Sequence, residues 1–207
     1  MCSVEKTRGL LVAVEGVDAV GKKTQSLLLC TWLNSKNITS KMLSFPDYST
    51  AIGSEIRGFL SGSRAYSAEV RHMLYAVNRW ERKTDIDALL ATFDVLVVNR
   101  YSASNLAYGI ANGLKLNWLV NLEAGLPAAD LVFILNAPPS MLSSRRGLSK
   151  DIYERNPDLQ EKVHRVYLQL AEEFKWTVID ATQRIQNTHL MLVRMVARAL
   201  TARGRSV

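Results

Sequence analysis

Short apolar runs alternate along the chain with longer stretches of helical periodicity. The runs at 10–14, 95–98 and 131–135 are continuously apolar, as in strands that are buried on both faces of a sheet. A weaker run lies at 40–45, and the run at 176–179 predicts the last strand. Helical patterns fill 22–35, 51–62, 68–92, 102–112, 115–124, about 139–145, 157–174 and 184–202.

This alternation predicts an α/β fold, in which helices cover both faces of a central parallel sheet of about five strands. The 207 residues contain no internal repeat, linker or low-complexity segment, so we expect a single domain over 1–207. Sheets of this kind bind their ligands at the carboxyl ends of the strands. We therefore expect the chemistry in the residues that directly follow each strand.

The composition is that of an ordinary globular protein, and its charge and cysteine content are informative. There are 26 Lys and Arg against 19 Asp and Glu, and the net charge of +7 suits an anionic ligand such as a nucleotide. No interleaving of aromatic and basic residues marks a nucleic-acid surface, and no apolar stretch is long enough to cross a membrane. Cys2 and Cys30 form no disulfide framework, so we expect a reducing, cytoplasmic location.

The loop after the first strand carries the clearest motif, the G-x-x-x-x-G-K core of a P-loop between a strand and a helix. Glycines let successive backbone N–H groups turn towards phosphate oxygens, and the helix start adds the positive end of its dipole. The lysine of the motif, Lys22, reaches the outer phosphates. A simple glycine-containing turn is the alternative. The predicted ATP site comprises Gly16, Val17, Asp18, Ala19, Val20, Gly21, Lys22, Lys23 and Thr24.

One position departs from the P-loop pattern. Lys23 stands where a Ser or Thr hydroxyl holds Mg²⁺, and an ammonium group cannot ligate a cation. Thr24 follows, but one step along a helix turns the side chain by roughly 100°. Either other groups and water hold the metal, or nucleotide use in this chain is unusual.

Further distinctive segments follow the predicted strands or lie within the predicted helices. They are Glu15-Gly-Val-Asp18, Phe45-Pro46 with Ser49-Thr50-Ala-Ile-Gly53, Asn78-Arg79-Trp80-Glu81, Asn99-Arg100-Tyr101, Gly125-Leu126-Pro127, Ile152-Tyr153-Glu154 and Asp180-Ala181-Thr182. In this combination the chain resembles the thymidylate kinase family over about residues 8–196. The resemblance implies a three-layer P-loop NTPase fold and transfer of the γ-phosphoryl group of ATP to dTMP, which gives dTDP.

The resemblance also implies a pocket for the thymine base. Phe45 would line the nucleoside pocket, and the ring of Tyr75 would stack on thymine. Arg79, one helical turn after Tyr75, would bond a thymine carbonyl, and Asn105 would also bond the base. The alternatives are a core aromatic at Phe45 and a surface ion pair at Arg79.

For the sugar and the phosphate, the resemblance implies a second group of side chains. Tyr108 would crowd the 2′ position and favour deoxyribose, Tyr153 would lie at the sugar edge, and Asp18 would meet the 3′-hydroxyl. Arg100 can grip the dTMP phosphate with two hydrogen bonds and neutralise charge during transfer. A strand-end salt bridge is the alternative for Arg100. Tyr48 stands where some relatives carry an arginine that is aimed at the phosphate.

The polar segment at about 143–155 predicts a mobile lid. Kinases of this class need a cation over the transferring phosphoryl group, and the variable P-loop positions Ala19 and Val20 are neutral. We therefore expect Arg145 or Arg146 to supply that charge when the lid closes and excludes water. A solvated basic loop is the alternative. The predicted catalytic residues are Lys22, Arg100, Asp18, Arg146 and Arg145.

Asn99 is the second departure, because family members usually have Asp-Arg-Tyr where this chain has Asn-Arg-Tyr. Together with Lys23, this change removes affinity for the Mg²⁺ that is expected with ATP. Besides dTMP kinase activity, two functions therefore stay open. One is a nucleotide-binding homologue with weak or no kinase activity, and the other is a kinase for another pyrimidine monophosphate such as dUMP. The resemblance also implies a homodimer, formed through the helical regions 68–92 and 102–124.

Overall fold

One parallel sheet of five strands forms the centre of the computed structural model, which describes residues 8–142 and 151–205. The strand order is β2-β3-β1-β4-β5, so the sheet extends from β1 to both sides. All four neighbouring pairs are parallel, as the continuous apolar runs predict. The strands are β1 (Leu10–Glu15), β2 (Ser40–Ser44), β3 (Val95–Asn99), β4 (Leu131–Asn136) and β5 (Thr177–Asp180).

Alternate residues of β1 pack into two apolar layers on opposite faces of the sheet. Leu10, Val12 and Val14 belong to the larger layer, which α1, α5, α8 and α9 complete. Leu11 and Ala13 belong to the smaller layer, with residues from α4. The helices are α1 (Lys22–Ser35), α2 (Ala51–Leu60), α3 (Ala68–Trp80), α4 (Lys83–Thr92), α5 (Ser102–Ala111), α6 (Leu116–Glu123), α7 (Pro139–Leu142), α8 (Pro157–Glu173) and α9 (Ile185–Ala202).

The α/β fold with helices on both faces of a five-stranded sheet is therefore confirmed, and most element ends lie within one or two residues of the predicted ones. The prediction of one helical stretch over 68–92 is wrong. It is two helices, because the chain turns at Glu81 and Arg82 between α3 and α4. His72 and Ala76 of α3 are buried away from the sheet layer to which Ile86 and Leu90 of α4 belong. The turn is thus required by tertiary packing.

Two further regions bear on the predictions. The described part of the helix predicted near 139–145 is α7, and residues 143–145 lie outside the described residues. Of the predicted lid, 151–155 form a turn in which Asp151 accepts hydrogen bonds from the backbone N–H groups of Tyr153 and Glu154. Within 8–142 and 151–205, no helix has both the length and the apolarity needed to cross a bilayer.

Candidate active site

A cleft of about 230 Å³ opens beside the carboxyl ends of β1, β2 and β3. Side chains from the loops after these strands line it together with side chains from α3, α5 and the turn before α8. All the residues predicted to bind dTMP lie in its lining: Asp18, Phe45, Tyr48, Tyr75, Arg79, Arg100, Asn105, Tyr108 and Tyr153.

The P-loop joins β1 to α1 at one side of this cleft. Gly16 and Gly21 have positive φ angles of 133° and 103°, which side chains rarely adopt. A Cβ atom on Gly16 would also lie 2.5 Å from the carbonyl oxygen of Leu135, so this position has no room for a side chain. These two constraints explain the glycine spacing of the motif. They leave the backbone N–H groups in a turn that leads into the start of α1.

Lys22 is the first residue of α1, and its side chain is only 7% exposed. Its Nζ donates a 2.6 Å hydrogen bond to the carbonyl oxygen of Val17, across the loop. Burial and, next, the positive charge of Arg100 lower the pKa of the Lys22 ammonium to about 7, against the raising effect of Asp18 and Glu15. Phosphate oxygens would offset both costs, since they bring negative charge to this position.

Asp18 lies at the point where the P-loop meets the cleft. Its carboxylate pairs with Arg100 and accepts hydrogen bonds from Tyr108 Oη at 2.8 Å and Gln160 Nε2 at 3.0 Å. Burial raises the pKa of this carboxyl, but Arg100 and Lys22 lower it more, so its pKa lies at about 2. Asp18 is therefore ionised at every physiological pH and orients the groups around it.

Arg100 follows β3 directly and has a positive φ of 63°. Its guanidinium contacts Asp18, donates to Ser104 Oγ at 3.1 Å and lies 5.4 Å from the centre of the Tyr108 ring. The predicted alternative of a salt bridge is thus present, and the same side chain also lines the cleft. Both features suit a guanidinium that is held in position for a phosphate group.

Glu15 is a functional candidate for which the sequence analysis assigned no role. It is fully buried at the end of β1 and accepts hydrogen bonds from Tyr101 N at 2.7 Å, Ser104 Oγ at 2.5 Å and Tyr167 Oη at 3.3 Å. Through Ser104 it supports Arg100. The sequence signal that could have identified Glu15 is its charge at the end of an otherwise apolar strand.

The base end of the cleft is formed by α3, α5 and α6. Arg79 is buried and forms an ion pair with Glu123, in which Nε donates to Oε2 at 2.9 Å and Nη2 contacts Oε1. Asn105 Nδ2 donates to the same carboxylate at 2.7 Å. An ion pair, which was the alternative for Arg79, therefore exists, but it is buried and does not lie at the surface. The Arg79 guanidinium also lines the cleft, and its partner Glu123 lies behind it. Glu123 itself had no signal in the sequence.

The Asn-Arg-Trp-Glu segment acts as a clamp on the loop after β2. Asn78 is fully buried, accepts a hydrogen bond from Asp47 N at 2.7 Å and donates to Thr50 Oγ1 at 3.0 Å and Glu81 Oε1 at 2.7 Å. This loop begins with Phe45, so the clamp fixes one wall of the cleft. The buried amide thus joins Glu81 of this segment to the loop after β2.

Aromatic side chains close the sugar end of the cleft. The Tyr153 ring lies 5.4 Å from that of Tyr108 and 5.6 Å from that of Phe59. Gln160 Nε2 joins this wall to the P-loop, since it donates to the Tyr153 carbonyl oxygen as well as to Asp18. Tyr48 is exposed and stacks against Arg57, with 5.0 Å from the guanidinium carbon to the ring centre.

The position that would be expected to hold Mg²⁺ has no suitable set of protein ligands. Lys23 and Thr24 are both exposed on α1. Asn99 donates from Nδ2 to Ser44 Oγ at 3.3 Å, and its buried Oδ1 has no partner among the described residues. No group of three or more His, Cys, Asp or Glu side chains that could enclose a metal ion occurs in 8–142 and 151–205. The residues therefore do not fit a resident Mg²⁺.

Two predicted catalytic residues, Arg145 and Arg146, lie outside the described residues. The other three, Lys22, Arg100 and Asp18, lie together, since Asp18 pairs with Arg100 and both charges act on Lys22. The predicted P-loop positions form one continuous turn and helix start.

Comparison with known proteins gives one family. A family model described as thymidylate kinase matches residues 14–192. A thymidylate kinase from Plasmodium falciparum (isolate 3D7) is 37% identical over 196 residues, which cover 94% of this chain and 92% of that protein. A thymidylate kinase from Homo sapiens is 33% identical over 185 residues, which cover 88% of this chain and 87% of that protein. The solved structure of a thymidylate kinase from Candida albicans matches with a TM-score of 0.83 at 29% identity, covering 93% of this chain and 92% of that one.

Proposed function

The chain belongs to the thymidylate kinase family, and we infer that it is a phosphotransferase that moves the γ-phosphoryl group of ATP to dTMP, giving dTDP and ADP. One observation of the site carries this function. A base pocket with aromatic and hydrogen-bonding walls lies directly beside an arginine and a P-loop lysine. That is the arrangement that transfer between two bound nucleotides requires, since the reaction depends on positioning and charge.

We propose the following roles for the acceptor site. The rings of Phe45 and Tyr75 hold the thymine, and Arg79 and Asn105 form its hydrogen bonds. Asp18 accepts a hydrogen bond from the 3′-hydroxyl of the sugar. The support is that all five side chains line one cleft.

The sugar edge and the phosphate form the second part of the acceptor site in this proposal. Tyr108 and Tyr153 pack against the deoxyribose, and Tyr108 leaves no room for a 2′-hydroxyl. Arg100 binds the phosphate. Tyr48 lies at the mouth of the cleft and carries no charge towards the phosphate, which leaves Arg100 as its main cationic partner among the described lining residues.

For the transfer step, a phosphate oxygen of dTMP attacks the γ-phosphorus of ATP. The bond from that phosphorus to the bridging oxygen breaks, and ADP leaves with the electron pair. In the proposal, Lys22 and the P-loop N–H groups hold the ATP phosphates, while Arg100 neutralises charge on the group in transfer. No general base is needed, because the attacking phosphate oxygen is already ionised.

Mg²⁺ enters this proposal as part of the substrate MgATP. The support is the absence of a carboxylate or hydroxyl ligand at Lys23 and Asn99, together with the metal-dependent chemistry that is general for phosphoryl transfer from ATP. The ion would then be held by phosphate oxygens and water. This assignment requires no protein side chain as a metal ligand.

We propose a homodimer that is formed through α3 and α6. Met73, Val77 and Trp80 follow at spacings of four and three residues on α3, and Val120 lies on α6. All four are between 37% and 42% exposed, which is unusual for an adjoining set of large apolar side chains. A second copy with the same face would bury them in a two-fold interface. Sedimentation equilibrium tests this, and a monomer at micromolar concentration would contradict it.

A cytoplasmic location is also part of the proposal. Its support is the low cysteine content, with Cys30 present as a free thiol.

A coupled assay with ATP, Mg²⁺ and an acceptor panel of dTMP, dUMP and dCMP tests the function. We expect turnover with dTMP in the range of about 1–100 s⁻¹. Turnover with dUMP in clear preference to dTMP would move the assignment to another pyrimidine monophosphate. Tight binding of ATP and dTMP without turnover would indicate a nucleotide-binding homologue.

A further inference from the structure

We propose that Glu123, which lies behind the cleft and not in its lining, fixes the order of hydrogen-bond donor and acceptor in the base pocket, so that the pocket takes 4-oxo pyrimidines and rejects 4-amino ones. The proposal rests on the function proposed above, because it concerns the base of the acceptor nucleotide. Glu123 ends α6, and its side chain is only 10% exposed. Its carboxylate contacts both Arg79 and Asn105.

The first consequence concerns Arg79. The two carboxylate oxygens of Glu123 contact Nε and Nη2 of the guanidinium in a fork geometry. Glu123 thus holds the Arg79 side chain from behind the cleft. Among the described residues, Nη1 has no hydrogen-bond partner. Since Arg79 lines the cleft, the N–H groups of this nitrogen and the second N–H of Nη2 are the donors that remain for a ligand. A guanidinium cannot accept a hydrogen bond, so this position binds only a carbonyl oxygen or another acceptor.

The second consequence concerns the orientation of the Asn105 amide. Its nitrogen lies 2.7 Å from Glu123 Oε1 and 3.2 Å from the carbonyl oxygen of His72. Both of these atoms can only accept, so the amide must present its NH₂ group to them. The amide oxygen therefore lies on the other side, where it accepts a 2.7 Å hydrogen bond from His72 Nδ1 and retains a second lone pair.

His72 is consistent with this orientation. It is fully buried, and burial lowers its pKa to about 4, so the ring is neutral and carries one proton. The bond to Asn105 places that proton on Nδ1. Nε2 is buried without a hydrogen-bond partner among the described residues, which a lone pair tolerates better than an N–H group would. The orientation of Asn105, and with it the tautomer of His72, thus depends on the Glu123 carboxylate together with the His72 carbonyl oxygen.

The resulting pocket presents a donor at Arg79 beside an acceptor at Asn105. A thymine or uracil ring offers the complement, with a carbonyl oxygen at position 4 and an N–H group at position 3. Cytosine offers an amino group at position 4 and a bare nitrogen at position 3, so it would oppose donor to donor and acceptor to acceptor. Sites of this kind reject the wrong analogue strongly, because buried polar groups are left unpaired.

Without the charge of Glu123, both constraints weaken. The His72 carbonyl oxygen, at 3.2 Å, would then be the remaining acceptor that holds the NH₂ group of Asn105 in this orientation, and Arg79 could leave its position. Glu123 is therefore a positioning residue, and its effect should appear in KM and in the choice of base. The rate of phosphoryl transfer should change little, because Arg100 and Lys22 do not contact Glu123 in the described structure.

The test compares Glu123→Gln, which keeps the shape, with Glu123→Asp, which keeps the charge. For Glu123→Gln we expect KM for dTMP to rise about 10–100-fold with kcat within threefold, and the preference for dTMP over dCMP in kcat/KM to fall at least about tenfold. Glu123→Asp should raise KM but keep most of the preference. If Glu123→Gln does not fold, as judged by its melting curve, the Asp variant carries the test, and loss of the preference there overturns the proposal.

Two readouts separate a positioning role from a merely structural one. Nitrogen-15 NMR of His72 should give the Nδ1–H tautomer in the wild type and a mixture in Glu123→Gln. An equal loss of efficiency for dTMP and dCMP, or an unchanged KM, overturns the proposal.

If the wild type shows no turnover, the proposed function fails on its own. Calorimetry with dTMP and dCMP then tests Glu123, and a preference for dTMP that Glu123→Gln leaves intact overturns its role.

Discussion

The two halves of the active site are built in different ways. In the acceptor half, formed by Tyr75, Arg79, Asn105 and their neighbours, buried side chains hold one another through hydrogen bonds from α3, α5 and α6. In the donor half, the P-loop and the start of α1, the geometry comes from backbone turns at Gly16 and Gly21. The acceptor half thus depends on side-chain identity, while the donor half depends on backbone conformation.

This difference explains where the chain departs from its family. Of the three departures, Lys23 and Asn99 lie at the donor half or at its border, and Tyr48 is exposed at the mouth of the acceptor cleft. None of the three takes part in the buried networks of Asp18 or Glu123. A change at an exposed helix position leaves the P-loop turn intact. A change in the acceptor half would leave a buried partner unsatisfied, which costs about 1–3 kcal/mol for each group.

The largest expected effect concerns the cation that completes the donor half. Arg145 and Arg146 lie outside the described residues, so this prediction rests on the sequence. We expect Arg146→Ala, or failing that Arg145→Ala, to lower kcat about 10³-fold, as loss of a charge-neutralising arginine does in related chemistry. Lys150→Ala, in the same segment, is the matched control. If both arginine variants turn over like the wild type, the lid assignment is wrong and the donor half has all its charge in the P-loop.

The next effect tests Arg100, which lies between the two halves. Arg100→Lys keeps the positive charge but loses the planar fork that can hold a phosphate with two bonds. We expect kcat to fall about 10²-fold, the size of effect that misplacement by an ångström produces. Arg203→Lys serves as the control, because Arg203 pairs with Asp130 at the other end of the sheet. A change confined to KM would make Arg100 a binding residue only.

The sequence allowed the fold to be predicted where one local pattern decides the structure. Strands β1, β3 and β4 are continuously apolar because both of their faces are buried, and this is visible in any window of five residues. The turn between α3 and α4 was missed, since no Gly or Pro interrupts 68–92. There the break follows from α4 packing on the sheet while α3 does not.

The residues of the candidate site also fall into two groups, those that a local sequence pattern identifies and those that it does not. Residues that directly follow a strand, such as Asp18, Phe45 and Arg100, could be selected from position and motif. Their partners could not. Gln160 bonds Asp18 across 142 positions of sequence, and Glu123 reaches Arg79 across 44. Such pairs carry no local pattern, so only the folded chain reveals them.

The third prediction concerns the protonation of Lys22. With a pKa of about 7, its amine is mostly neutral in the free protein at pH 8, but it must be charged to hold phosphate. ATP affinity should therefore fall about tenfold between pH 8 and pH 9, since each unit above the pKa makes the required proton tenfold rarer. Calorimetry in two buffers of different ionisation enthalpy should show uptake of nearly one proton at pH 8. Lys22→Arg, which stays charged, should show neither effect. A wild-type affinity that is constant over this range would place the pKa of Lys22 near its usual value.

The smallest effect decides whether Lys23 compensates for a missing metal ligand. Lys23 is exposed, and an exposed charge contact is worth only about 0.2–1 kcal/mol, or at most about fivefold in affinity. We expect the wild type to bind metal-free ATP almost as tightly as MgATP. Lys23→Thr should weaken the metal-free complex two- to fivefold, and Lys23→Thr with Asn99→Asp should lower the Mg²⁺ concentration at half-maximal turnover by a similar factor. The exposed Lys36→Thr, at the far end of α1, controls for the loss of charge alone. If the double variant needs as much Mg²⁺ as the wild type, Lys23 and Asn99 have no effect on the use of the metal. The metal dependence of the donor half would then be determined by its backbone, as its geometry is.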